Sequence, residues 1–249
     1  MKNDKEFIID KFKEVKKLGF VPSHRKNNTG IGKTFEDYVG VVENNLDEPD
    51  LAGFEIKSHR EESQSYVTLF TKSPNFPLKA NAYLNNKFGT PYENNPALNR
   101  LHTSMFASRF NTSKEKFSFR LINDRNVRLL RIGIYDINTK ALIDSNVGYT
   151  YDCLEKILNK KLKNLFYVSA ERKYEDGEEK FYFNKAEIYF EPSFEKFLDL
   201  IDRGLIMYDI RIGSYKSGKN YGKPHDHGSG FRILESNLRL LFLRHEIIE

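Results

Sequence analysis

The chain has 249 residues, enough for one large domain or two lobes around a sizeable core. Hydrophobic residues make up 39% and charged residues 30%, a globular balance, and no apolar run approaches the roughly 20 residues that span a bilayer. A net charge of +5 permits a polyanionic partner without requiring one, and the single cysteine, Cys153, excludes an internal disulfide and a cysteine-rich zinc site.

The opening stretch, MKNDKEFIIDKFKEVKKLGF, is charged throughout and lacks a signal-peptide apolar region, so a reducing cytoplasm is the expected compartment. Within it, Phe7, Ile8, Phe12, Val15 and Leu18 recur at helical spacing, which predicts an amphipathic helix ending near Gly19. HRKNNTGIGKT reads as a Gly/Asn-rich basic loop whose His24, Arg25, Lys26 and Lys33 could meet a phosphate backbone. It is not a nucleotide-binding P-loop: the first glycine stands too close to Lys-Thr and no strand precedes it. FEDYVGVVENN predicts a second helix carrying Glu36. LAGFEIKS predicts a strand with Phe54 and Ile56 on one face, and SYVTLFTK a second strand paired with it. Residues 73 to about 112 are Pro/Asn-rich with little periodicity and read as a long irregular, functional loop.

Farther on, 117–136 predicts a hairpin around Asp124, and YDCLEKILNKKLKNL a helix. FYVSAERKY and KFYFNKAEIYF flank Asp176-Gly177, a strong hairpin-turn signal. SFEKFLDLIDRGLI predicts a helix, MYDIRIGSY a strand, 217–230 a Gly/Lys/His-rich loop, and FRILESNLRLLFLRHEI a closing helix. The class expected is α/β with a mixed sheet flanked by helices, plus a β-hairpin-rich second lobe. A division into 1–140 and 141–249 is expected, with the lobes interleaved.

Glu-x-Lys is a weak signal in so charged a chain. Glu14/Lys16 sits in a helix, where i and i+2 diverge, and Glu171/Lys173 and Glu178/Lys180 flank a solvated turn. Glu55 and Lys57 differ. They share one face of a predicted strand, the apolar Phe54 and Ile56 lie behind them, and Asp50 stands just upstream in the turn begun by Pro49. Two neighbouring carboxylates repel unless a cation sits between them, and oxygen-only ligation suits Mg²⁺. An ammonium beside such an ion can orient an attacking water, the apparatus of metal-assisted phosphodiester hydrolysis. An exposed strand with incidental charges is the bland alternative.

Pro49-Asp50 followed by Glu55-Ile56-Lys57 resembles the PD-(D/E)xK nuclease signature. GKTFEDYVG, EPDLAGFEIKS and GFRILESNLRLLFLRHEI resemble the MutH-like branch, and within it the MvaI/BcnI group of restriction endonucleases, over most of the chain in order. The resemblance implies a PD-(D/E)xK core with Asp50 and Glu55 as metal-binding carboxylates, the Ile56 carbonyl as a further ligand, Lys57 as the catalytic lysine and Glu36 as an auxiliary acid. It implies Mg²⁺, with Mn²⁺ substituting, and cleavage of double-stranded DNA leaving 5′-phosphates. It also implies a monomer, a short site of the CC-N-GG kind with an A/T middle pair on the MvaI side of the group, and a cognate DNA methyltransferase as functional partner. A MutH-like strand-nicking repair enzyme and a non-catalytic DNA-binding regulator are the rivals.

Sequence reading is expected near the C-terminus. Asp209 and Arg211 alternate on one strand face, and the stretch after them holds Tyr215, Lys216, Lys219, Lys223, His225, Asp226, His227 and Arg232, the last opening the closing helix. Arg and Lys donate to guanine O6/N7 and Asp accepts from cytosine N4, whereas lysines and glycine amides suit phosphates. Four alternatives stand beside this: a zinc site on His225 and His227, a His-based nuclease motif that the Asp50/Glu55/Lys57 site makes redundant, a mobile solvated loop, and an internal Asp209–arginine ion pair.

Overall fold

A computed structural model of the chain describes residues 3–27, 29–41, 50–61, 66–111 and 116–248. The elements run α1 (Asp4–Lys17), β1 (Val21–Pro22), α2 (Gly30–Val39), β2 (Glu55–Arg60), β3 (Tyr66–Thr71), α3 (Ala80–Phe88), β4 (Thr90–Tyr92) and β5 (Asn95–Met105). Then come β6 (Phe117–Asp124), β7 (Leu129–Asp136), β8 (Leu142–Thr150), α4 (Tyr151–Leu162), β9 (Asn164–Glu175) and β10 (Glu178–Pro192). The chain closes with α5 (Phe194–Asp202), β11 (Ile206–Ser214), β12 (Pro224–Asp226), β13 (Gly230–Leu234), α6 (Glu235–Leu238) and β14 (Phe242–Ile248). The class is mixed α/β, as expected.

The elements gather into two compact units. One comprises Met1–Val67, Leu158–Ser193 and Leu238–Glu249; the other Thr68–Ile157 and Phe194–Asn237. Both draw on chain from either side of residue 140.

The first unit is built on a sheet ordered β1-β10-β9-β2, with β14 also paired to β10. β2 runs parallel to β9 and the other pairs are antiparallel, so the sheet is mixed. One face is apolar: Ile56, Phe166, Val168, Ala170, Phe181, Phe183, Ile188 and Ile248 pack against Ile8, Phe12 and Val15 of α1 and Ile31, Phe35 and Val39 of α2. α1 begins with a capping box in which Asn3 and Glu6 exchange hydrogen bonds, which satisfies two otherwise orphaned N–H groups. α2 starts at Gly30, inside the stretch read as a loop. A Cβ on Gly30 would lie 2.2 Å from the Arg25 carbonyl, so only glycine lets the basic turn fold onto the helix start.

The second unit holds a six-stranded sheet, β3-β13-β11-β5-β4 with β12 on β11, and a three-stranded sheet, β6-β7-β8. The hairpin at 117–136, the hairpin turning at Asp176-Gly177, α4, α5 and β11 fall where the sequence predicts them.

Four expectations are corrected. β2 pairs with β9, more than a hundred residues away, and β3 pairs with β13 in the other unit's sheet, so the two do not form a hairpin. The 73–112 stretch contains α3, β4 and β5: Leu84 and Phe88 of the helix and Leu98, Leu101 and Met105 of the strand are buried. The closing helix is β13, a single turn and β14: Phe231 and Ile233 alternate into one core and β14 completes the other sheet. Part of the 217–230 loop is a hairpin, with β12 folded back on β11. Pro49, which begins the turn ahead of Asp50, lies outside the described residues.

Candidate functional site

In the first unit, β2 carries Glu55, Lys57 and His59 on the face opposite the apolar core. The Lys57 Nζ donates to Glu55 Oε1 at 2.5 Å. Glu55 is 8% exposed, and its Oε2 is buried without a hydrogen-bond partner among the described residues. A carboxylate oxygen in that condition is costly unless a cation completes it. Asp50 reaches the same strand end: its Oδ2 accepts the backbone N–H of Ile56 at 2.8 Å. The turn between them is closed by paired hydrogen bonds between Leu51 and Phe54, whose ring is buried against Phe190. Asp50, Glu55 and the Ile56 backbone therefore converge on the start of one buried strand. Among the described residues no group of three or more His, Cys, Asp or Glu side chains gathers to hold a metal. Two carboxylates and a carbonyl nevertheless fit Mg²⁺, which keeps waters and substrate phosphate oxygens in its remaining positions.

Glu36 is half-buried on α2, the helix packed against β2. The next residue, Asp37, is engaged by His24 Nδ1 at 2.9 Å and by Lys33 Nζ at 2.8 Å. Hydrogen bonds from Lys33 and then His24 hold the Asp37 carboxyl below the usual carboxylate range. Two of the basic residues set aside for phosphate are thus tied to an acid. The other Glu-x-Lys pairs have the bland explanation: Lys173 and Lys180 both bridge to Glu175 on the surface hairpin.

In the second unit, Asp209 is 1% exposed and fully engaged. Ser104 donates to its Oδ1 at 2.7 Å, while Arg211 Nε and Arg232 Nε lie 2.8 and 3.0 Å from its Oδ2. The internal ion pair foreseen as an alternative is therefore present. It holds two guanidiniums side by side, with the Arg211 side chain 48% exposed. Arg232 lies on β13, where its terminal nitrogens donate to Thr68 and to the Gly228 carbonyl. Asp226 is equally occupied: it accepts from Ser73, Asn81 and the amides of Gly228 and Ser229. Tyr215 stacks on His225 with centroids 4.4 Å apart, and His225 packs against His227. Lys216 sits over the Tyr92 ring, Lys223 donates to Asn220, and Lys219 is exposed in the hairpin tip.

The cross-strand register adds residues that the sequence reading missed. His102 lies directly opposite Arg211, and Ser104 opposite Asp209. Arg100 and His102 share the Ser104 face of β5, so a basic and imidazole-rich row faces one way on neighbouring strands. Partial burial, then Arg211 and Arg100, push the His102 pKa down. Gly213 leaves the gap this row needs: a Cβ there would stand 2.7 Å from the Tyr92 hydroxyl and 2.8 Å from His227 Nε2. The alternation Arg100-Leu101-His102-Thr103-Ser104-Met105 was the available signal.

A mixed sheet with helices on its apolar face and Glu55 and Lys57 on the other is a restriction-endonuclease-like fold. The chain belongs to the MvaI/BcnI restriction endonuclease family, whose model matches residues 9–242, and its activity class is that of a type II site-specific nuclease. It is similar to the structure described as "Restriction endonuclease MvaI-cognate DNA substrate complex", at 36% identity with all of both chains covered and a TM-score of 0.89. It is also similar to "Restriction endonuclease MvaI in the absence of DNA", at 35% identity over 100% of this chain and 99% of that one, with a TM-score of 0.67. The motifs alone leave room for MvaI itself; 36% identity makes this chain a relative. Among curated proteins compared by sequence, none matches. Restriction endonucleases of this kind generally use divalent metal ions. No helix among the described residues is long and apolar enough to cross a membrane.

Proposed function

We propose that this endonuclease cuts double-stranded DNA at a short CC-N-GG site with an A/T middle pair, using Mg²⁺, for which Mn²⁺ substitutes, and leaving 5′-phosphates. The observation that carries the reading is the buried Glu55 Oε2 without a partner among the described residues, on a carboxylate held by the Lys57 ammonium, with Asp50 on the neighbouring Ile56 backbone N–H. Asp50, Glu55 and the Ile56 carbonyl would hold the ion, with Glu36 auxiliary. When bound, the ion supplies charge neutralisation at the scissile phosphate and at the departing 3′-oxygen. Lys57 spends one N–H on Glu55 and offers the others to the attacking water and a phosphate oxygen, which fixes the water in line.

The second unit supplies recognition in this reading. Arg211 and Arg232, held by Asp209, present guanidinium edges to guanines, with His102 on β5 and His225 on β12, the strands paired with β11, and His227 just after β12. Asp209 already accepts hydrogen bonds from Ser104 and Arg211 and forms an ion pair with Arg232, so its contribution is orientation of its partners as much as contact with cytosine. Asp226 shapes the turn that follows. Lys216, Lys219, Lys223 and Tyr215 meet the backbone. The enzyme works as a cytoplasmic monomer beside a methyltransferase that protects the same site.

Incubation with plasmid and Mg²⁺ tests the whole reading. Discrete double-strand fragments ending at CC(A/T)GG are expected; nicked circles or intact DNA overturn it.

A further inference from the structure

The face of the first unit's sheet that carries Glu55 and Lys57 is not finished by those two residues. The parallel register of β2 on β9 sets Tyr167 directly beside Lys57, at the spacing of neighbouring strands, about 4.8 Å. His59, two residues beyond Lys57 on the same face, is 6% exposed, and its ring stacks on that of Tyr167 with centroids 6.2 Å apart and planes 29° from parallel. Tyr167 is 1% exposed. Behind it Tyr189 meets its ring edge-on at 6.4 Å, and the Tyr189 hydroxyl donates to Glu187, the β10 neighbour of Tyr167. His245 of β14 closes the layer against both Glu187 and Tyr189.

We propose that Tyr167, braced by His59, is the positioning residue for Lys57. A lysine stem has four rotatable methylenes and a compact charge with no preferred direction of its own. Glu55 fixes the ammonium on one side, His59 closes the strand direction on the other, and Tyr167 fills the space across the ladder. The ammonium tip keeps its outlet toward solvent, with 24% of the side chain exposed. The opposite face of the same sheet is filled by Ile56, Phe166, Val168 and Ile188, so apolar packing is already provided there. The rings on this face serve the group standing among them: they hold one lysine rotamer against the reacting phosphate. This inference rests on Lys57 being catalytic.

The test is single-turnover cleavage of duplex DNA with saturating enzyme, beside binding measured without Mg²⁺ and thermal melting. Tyr167→Leu is expected to slow the cleavage step about 10- to 100-fold, the usual effect of an outer-shell partner, with binding unchanged. Tyr167→Phe, which keeps the ring, is expected to restore cleavage to within a few-fold of wild type. In a Lys57→Ala background, Tyr167→Leu is expected to cause no further loss, because both act through one group. Cleavage at the wild-type rate by a folded Tyr167→Leu enzyme overturns the inference, as does a loss that Tyr167→Phe fails to repair. Should Tyr167→Leu not fold, His59→Gln removes the brace and keeps a buried polar group; wild-type cleavage there overturns the inference equally. Wild-type cleavage by Lys57→Ala would instead overturn the active-site reading beneath it.

Discussion

The Asp50 carboxylate accepts the Ile56 backbone N–H at 2.8 Å, which ties an acid to the first turn of the strand that bears Glu55 and Lys57. An asparagine can accept the same bond without carrying charge. Asp50→Asn is therefore expected to keep the melting temperature and DNA affinity and to lose at least about a hundred-fold in cleavage rate. Cleavage within a few-fold of wild type removes Asp50 from the active site.

Glu55 has one oxygen on Lys57 and one buried without a partner among the described residues. Chelation with EDTA is expected to stop cleavage while specific DNA binding persists, and Mg²⁺ or Mn²⁺ to restore it. Glu55→Gln is expected to abolish Mg²⁺ uptake in calorimetry, since the remaining acid cannot replace the lost charge. Undiminished uptake by the variant places the ion elsewhere.

Asp209 and Arg211 separate reading from folding. Arg211 is half-exposed, and Arg211→Ala is expected to weaken specific relative to random DNA binding by about 1–3 kcal/mol with little change in melting. Asp209 is buried beneath two guanidiniums, and Asp209→Ala is expected to cost about 1–3 kcal/mol of stability, measured by urea unfolding. If Arg211→Ala melts early but keeps its specific-to-random ratio, the pair holds the fold and does not read DNA.

Lys219 stands exposed in the turn between β11 and β12. Lys219→Ala is expected to weaken binding to all sequences alike and to shallow the slope of log K against log salt by about 1. A changed preference among base pairs at unchanged salt slope contradicts a phosphate contact.

Asp226 titrates in an acid window. Burial raises its pKa, but the Ser229 amide, Ser73 and Asn81 outweigh burial and bring it below the usual carboxylate value. A lowered folded-state pKa stabilises the fold above the unfolded value, near pH 4, and that stabilisation is lost as pH falls through the folded value. Asp226→Asn is expected to cost about 1–3 kcal/mol at pH 7, and the gap to wild type to narrow below about pH 4. A gap that stays constant from pH 7 to pH 3 shows that the charge of Asp226 contributes nothing.

Local chemistry made much of the chain legible in the sequence. The helical spacing of Ile8, Phe12 and Val15, the Asp176-Gly177 turn, and the alternation around Glu55-Ile56-Lys57 each depend on neighbours within a few residues. So does the Asp50–Ile56 bond, which spans a single turn. Those local rules fix element type and the shared face of Glu55 and Lys57.

What only tertiary structure decides is which strands become neighbours and what covers their polar faces. The pairing of β2 with β9 sets Tyr167 beside Lys57, and the pairing of β5 with β11 sets His102 beside Arg211; in both, the partners are about a hundred residues apart. The end of the chain makes the same point. FRILESNLRLLFLRHEI has enough apolar residues for a helix, but two separate sheets each lacked a strand. Pairing backbone groups along those edges and burying Phe231, Ile233 and Ile248 outweighs a helical preference that local sequence alone expresses.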